Sequence, residues 1–534
     1  MNYKTKNIIL FTITSILSLS LLSSCGKNSG NTSANSQDRE NTFIFNLTAE
    51  PPTIDWNKAN DNVSIDVLIN IMEGLMHFDK DLKPVPDLAE SYTLSKDGLT
   101  YTFILKKGIK WTDGKELTAD DFRYSWLRAL NPMTASTYAY FLFDIKNARD
   151  YNAGKIKNPD EVGIKVLDPY TLQVTLSHPA SYWLNIPTFT ATFPARKDLI
   201  EKYGYQWTNP KNLVTLGPYK VQSWEHTNKL TMIANPTYHG PQPYFKKVIG
   251  LILQEESTAI SLFESGDLDF VRRIPALDIP RFKGKPEYHV LPALRIYYYG
   301  FNIAKKPFTD KRVRYAFSQA IDRSKFPELL MGGQIAMTSI IPKGMPGYEP
   351  NVGLHYDPDK ARQLLADAGY PNGKNFPKVT AYFDSGRQDH KTVAEALQQM
   401  WKKELNVNVD LQQEEWKVHL KLLETDAPQL WRLGWGADYP DPDNFLQLFT
   451  SYSGNNHTHW KNPQFDKLIE EGAAEQDMDK RLVLYRQAQK ILTEEDVPVI
   501  PLFSESHNYL LKPSIKGFQP DGMSYIFIKN AKCE

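Results

Sequence analysis

Thirteen consecutive positions, Trp431 to Asp443, hold two tryptophans, an arginine, two glycines and three carboxylates. Glycines at 434 and 436 let backbone come close to a ligand, Trp435 can wall a slot, and Asp438 supplies a fixed negative charge. An ammonium group taken out of water needs such a partner, because an unpaired buried charge is costly. Asp441 and Asp443, interleaved with Pro440 and Pro442, read instead as turn formers that cap a helix over 444–449. A calcium loop would need a glycine and a distal glutamate that are absent here, and a glycosidase carboxylate pair is the weaker account of the same acids.

The elements that must hold this segment read as mixed α and β. Tyr101, Phe103 and Leu105 alternate with polar residues, as do Leu172, Val174 and Leu176, and both runs predict half-buried strands. Asp357 and Pro358 open a predicted helix that stops at Gly369. Strand-like Val379 to Phe383, a helical stretch from Lys391 to Leu405 and alternating Val407, Val409 and Leu411 follow. This order predicts an α/β region from about 300 to 500. Residues 75 to 200 carry more strand and turn character, which implies two unlike lobes. The aromatic clusters at 138–141 and 297–299 are read as core by default.

Lys4 and Lys6 precede an uncharged run from Ile8 to Leu22, then small residues and Cys25. That is a signal-peptide layout over 1–24, and no later run is long and apolar enough to span a membrane. Leu22-Ser23-Ser24-Cys25 resembles a bacterial lipobox, so Cys25 is expected to carry lipid, with the Ser- and Asn-rich stretch to residue 40 as a flexible tether. The only other cysteine is Cys533, so no disulfide is expected, and thiolate metal sites are excluded. His457 and His459 are read as surface polar. No metal and no cofactor are expected. Basic and acidic residues balance at 62 each, and the leader removes two lysines, which leaves no field for nucleic acid.

Several further segments, in order, carry a family resemblance: Asp87 to Tyr92, Tyr101 to Gly114, Thr118 to Trp126, Gly217-Pro218-Tyr219, Tyr297 to Phe301, Lys305 to Arg314, and Glu414 to Lys417 around Trp416. Together with Trp431 to Asp443 they resemble the oligopeptide-binding proteins of ABC importers, the extracytoplasmic solute-binding family 5. The resemblance covers nearly the whole mature chain. It implies a type II periplasmic-binding-protein-like α/β fold, two lobes with a hinge plus an inserted domain. The expected division is a discontinuous lobe at 41–74, 200–300 and 505–534, an inserted domain at 75–199, and a second lobe at 301–504, with crossings near Gly300 and Ser504 as hinge.

By the same resemblance Asp438 pairs with the amino terminus of a short peptide that lies extended like an added strand. Gly436 stands where some members have cysteine, and main-chain contact there survives that change. Trp416, Trp435 and a tyrosine of the pair Tyr138 and Tyr140 match wall positions. Arg432, His390 and Lys305 match basic residues that meet peptide carboxyl termini, while Leu423 replaces another such residue, which leaves the preferred peptide length open. The implied function is capture of short peptides and delivery to an ABC permease by a monomeric, lipid-anchored protein on the outer face of the cell membrane. Alternatives are a peptide-pheromone receptor, a nickel or heme binder, or a secreted hydrolase. No nucleophile elbow, zinc-binding helix motif or phosphate loop supports an enzyme.

Overall fold

Period-two burial selects the strands, and a computed structural model of the protein describes residues 39–385 and 387–534. The leader at 1–24, Cys25 and nearly all of the tether lie outside the described residues. In chain order the strands are β1 (Thr42–Leu47), β2 (Met76–Phe78), β3 (Pro84–Pro86), β4 (Ala89–Leu94), β5 (Thr100–Leu105), β6 (Ile164–Asp168), β7 (Thr171–Thr175), β8 (Tyr219–Glu225) and β9 (Lys229–Ala234). They continue with β10 (Lys247–Ile252), β11 (Phe270–Val271), β12 (Tyr288–Phe301), β13 (Ile335–Ala336), β14 (Val379–Asp384), β15 (Val409–Glu414), β16 (Leu430–Gly436) and β17 (Val499–Leu511). In β5 the residues Tyr101, Phe103 and Leu105 are buried and those between are half-buried, as the alternation predicts.

One mixed sheet runs β15-β14-β16-β12-β17-β11-β1-β10-β9-β8, with β13 also on β17, and a separate antiparallel sheet runs β4-β5-β7-β6. The predicted helix after Asp357 spans Pro358–Asp367, and the Asp357 carboxylate accepts from the Lys360 N–H at 3.0 Å. The helix predicted from Lys391 begins at Gln388, and the strand predicted from Val407 begins at Val409. The tyrosines at 297–299 are core: Tyr297 and Tyr299 enter one apolar cluster and Tyr298 the cluster on the opposite face, all at most 1 % exposed. That is the alternation of a strand covered on both sides.

Two long strands carry the sheet from one lobe to the other. β12 and β17 pair from Tyr288↔Leu510 to Gly300↔Val499, and the register breaks between Pro292↔Ser506 and Ile296↔Ser504. Three residues, Ala293, Leu294 and Arg295, thereby face a single residue, Glu505. The break is a β-bulge, and bulges bend strands and re-aim side chains beside binding sites. Its free backbone groups are satisfied by neighbouring segments: Leu294 N–H donates to Gly522 O at 2.7 Å, and Leu294 O accepts from Ala437 N–H at 2.8 Å. Gly300, by contrast, sits inside the ladder beneath the Trp431 ring, which lies 2.2 Å from where a Cβ at 300 would stand.

Candidate ligand-binding cleft

The bulge fixes Ala437 from one side, and Asp438 follows it directly. A cleft of about 630 Å³ opens there. Its floor is the bulge and the end of β16. Its walls are Asn60 and Asn62 at the start of the helix Asn62–Ile71, Thr137, Tyr138 and Tyr140, Trp416 and Leu420 one turn apart in the helix Trp416–Asp426, and Gly522 to Tyr525 near the carboxyl end.

Asp438 is the cleft's carboxylate. Its backbone N–H donates to Asn444 Oδ1 at 3.1 Å, and the Tyr140 hydroxyl donates to its Oδ2 at 3.2 Å. Burial raises its pKa to about 6, against the lowering pull of Asn444, Tyr140 and the nearby Arg295. Trp435, whose Nε1 donates to the same Asn444 Oδ1 at 3.0 Å, stands beside it half-buried. Trp416 is 41 % exposed at the cleft edge, and Tyr138 packs near Tyr140 with ring centroids 5.8 Å apart.

The two glycines of β16 serve packing within the protein as well as access. A Cβ on Gly434 would stand 2.8 Å from the Ile296 carbonyl oxygen, and one on Gly436 would stand 3.0 Å from the Arg295 guanidinium. On its other edge β16 pairs with β14 only through Leu430 and Trp431. The stretch toward Gly436 therefore has an edge free of a β partner, while its inner edge pairs with β12 from Arg295 to Phe301.

The structure thus brings Asp438, Trp435, Gly436, Trp416, Tyr138 and Tyr140 together in one cleft. Arg432 and His390 lie in a buried group outside its lining. Arg432 Nη1 donates to Asp384 Oδ1 at 2.9 Å, His390 Nδ1 lies 3.0 Å from Asp384 Oδ2, and the guanidinium stacks over the Tyr297 ring at 4.3 Å. Burial lowers the His390 pKa. Lys305 is placed elsewhere: its Nζ pairs with Asp426 at 2.7 Å, at the far end of the helix that begins with Trp416. Asp441 forms a two-oxygen pair with Arg481, at 3.0 and 2.8 Å, and accepts from Asp443 N–H at 3.0 Å, so both acids serve the turn and the helix Asp443–Leu446 rather than the cleft.

Sequence reasoning passed over Arg295, Asn60, Asn62 and the segment 522–525. Arg295 sits two residues before the tyrosine run and faces the cleft, with no hydrogen bond or ion pair among the described residues. Behind it, burial pushes Glu505 up, but Arg387, Arg295 and Arg432 hold it down at about 2. No sequence signal marks Arg295, because its place at the cleft comes from its register opposite Gly436.

The chain is similar to several known proteins. The profile of the bacterial extracellular solute-binding proteins, family 5, matches residues 83–457. The oligopeptide-binding protein OppA of Bacillus subtilis is 32 % identical over 531 residues, with 96 % of each chain covered. The solved structure of a periplasmic oligopeptide-binding protein of Borrelia burgdorferi matches with a TM-score of 0.78 at 32 % identity, covering 92 % of this chain and 100 % of that one. Haemophilus influenzae OppA in complex with the peptide RPPGFSPFR matches with a TM-score of 0.76 at 29 % identity, covering 92 % and 99 %.

Proposed function

Because the chain belongs to family 5 of the bacterial extracellular solute-binding proteins, we propose that it captures short peptides in the cleft beside Asp438 and delivers them to an ABC permease. One observation carries this reading: a half-buried carboxylate stands at the end of a strand whose outer edge lacks a β partner from Arg432 to Gly436. The carboxylate is suited to a peptide's ammonium group, and the strand edge to its backbone. From Gly436 back to Arg432 the strand runs roughly 13 Å at ~3.3 Å per residue, about the length of a stretched tetrapeptide. At that far end Arg432 Nε and His390 Nε2 are buried without a hydrogen-bond partner, which supports them as donors to a peptide carboxylate after a small rearrangement. Trp416, Trp435, Tyr138 and Tyr140 form the walls, and Lys305 has no part in this site.

The protein acts by binding, not catalysis, as a monomer held at the outer membrane face by lipid on Cys25. The discontinuous lobe comprises 41–74, 200–300 and 505–534, the inserted domain 75–199 and the second lobe 301–504. The four-stranded sheet β4-β5-β7-β6, which falls within 75–199, supports that division. The bulge at Ala293 to Arg295, rather than Gly300, is the pivot.

Native mass spectrometry of protein purified from rich medium tests the reading. Adducts with the masses of intact peptides of about three to five residues are expected. A chain that stays free of peptide after incubation with a mixed tryptic digest, or returns the digest hydrolysed, would refute it.

A further inference from the structure

A second cluster of polar groups lines a neighbouring cavity that Asp438 also borders, and we propose that Glu73, Asp87 and His239, with His77 beside them, bind one divalent transition-metal ion of the zinc class. The four residues come from different segments. Glu73 follows the helix Asn62–Ile71, His77 lies on β2, Asp87 follows β3, and His239 lies between β9 and β10. Donor atoms of Glu73, Asp87 and His239 all fall within 4.8 Å of one another. Donors bound tetrahedrally to zinc stand roughly 3.4 Å apart, so a small contraction completes the set.

Burial makes the cluster unlike an ordinary surface group of acids. Glu73 is 5 % exposed and Asp87 8 % exposed. Glu73 Oε1 accepts from the Tyr238 hydroxyl at 2.5 Å and lies 3.4 Å from Lys529 Nζ, contacts of the kind that orient a ligating carboxylate. Its Oε2 points at His239 Nε2, 3.3 Å away, and takes no hydrogen bond. Among the described residues nothing donates a hydrogen bond to the Asp87 carboxylate, and its ion-pair neighbour is His77 Nδ1 at 3.8 Å, itself without a hydrogen bond. Two adjacent buried carboxylates thus face two imidazoles, with Lys529 3.4 Å from Glu73 and Lys106 also acting on Asp87. A cation bound here would offset charge that the two carboxylates share.

Two imidazoles with two carboxylates favour zinc, nickel or cobalt over calcium, which takes six to eight oxygens. Such an ion would tie the helix end, the β2–β3 hairpin and the loop after β9 to one point. Its four ligands are distinct from Asp438 and the strand edge, although Asp438 borders the cavity that Glu73, His77 and Asp87 line.

The test uses the tag-free full chain, stripped with chelator and titrated with zinc chloride against a chromophoric competitor, with calcium chloride in parallel. One zinc per chain and no calcium are expected, together with a zinc-dependent rise in melting temperature. His239→Ala, on an exposed loop, and Asp87→Asn should each weaken zinc binding by about 100-fold. The metal-free melting temperature of His239→Ala should match that of the unsubstituted chain, which separates loss of the ligand from loss of the fold. Absence of stoichiometric zinc, equal binding of calcium, or zinc affinity unaltered by both substitutions, as binding at His457 and His459 would give, overturns the proposal.

Discussion

Replacing Asp438 with asparagine keeps the size of the side chain and removes the charge proposed to hold the peptide's ammonium group. At about 3 Å and an effective dielectric of about 20, that attraction is worth roughly 5.5 kcal/mol before desolvation. Desolvating both groups offsets part of it, so Asp438→Asn should cost about 2–4 kcal/mol, a factor of roughly 30 to 1,000 in Kd. An amino-terminally acetylated peptide should lose a similar amount against the unsubstituted protein, and little more against the variant. The pH dependence has a definite sign. Burial raises Asp438 to about 6 in the unliganded chain, and a bound ammonium lowers it again. Affinity is therefore full above pH 6, falls by up to tenfold per unit below it, and levels off once pH passes the bound-state value. Titration calorimetry with a tetrapeptide and its acetylated form, from about pH 5 to about pH 7.5, reads all three effects. Unchanged affinity for the acetylated peptide, or a variant that keeps the pH dependence, would refute the assignment.

The same raised pKa predicts that Asp438→Asn stabilises the unliganded chain at neutral pH. A carboxyl whose folded pKa lies above its unfolded value favours folding below the unfolded value and loses that contribution as pH rises through about 6, so asparagine should gain about 1–2 kcal/mol by urea unfolding at pH 7. Trp416→Ala removes an exposed wall and should weaken peptide binding by about 1 kcal/mol, while the melting temperature stays within a degree or two. Gly300→Ala pushes a methyl group into the Trp431 ring and should destabilise by about 1–3 kcal/mol in thermal denaturation. Arg481→Ala strands Asp441 without its partner and should cost about 3–5 kcal/mol, much of which Arg481→Met combined with Asp441→Leu should recover, as measured by urea midpoints.

Asp438 was legible because its neighbours in sequence, Trp435, Gly436 and Ala437, are also its neighbours in space. Strand alternation at Tyr101 to Leu105 and capping at Asp357 were legible for the same local reason. Arg295 was not, because its importance depends on a register break between two strands about two hundred positions apart, which no local pattern encodes. Arg432 and His390 could be picked out as basic residues, but their shared partner Asp384 could not, since it lies on a different strand from Arg432. Lys305 looked equivalent to them by type, yet the end of β12 carries it toward Asp426. The expectation of no metal rested on cysteine number and close ligand spacing, and neither bears on Glu73 and His239, which only the fold brings together.

Two strands crossing between the lobes have a mechanical consequence. Since β12 and β17 belong to both halves of a single sheet, the cleft can gape by twisting a ribbon, with no helix to unwind and no loop to refold. A clasp of three contacts opposes that motion: Tyr182 stacks on Tyr439 at 5.6 Å, Ser181 N–H reaches Ala473 O at 2.8 Å, and Tyr140 touches Asp438. A guest that took Asp438 for itself would compete with the Tyr140 hydroxyl for that carboxylate, trading one tooth of the clasp for its own grip.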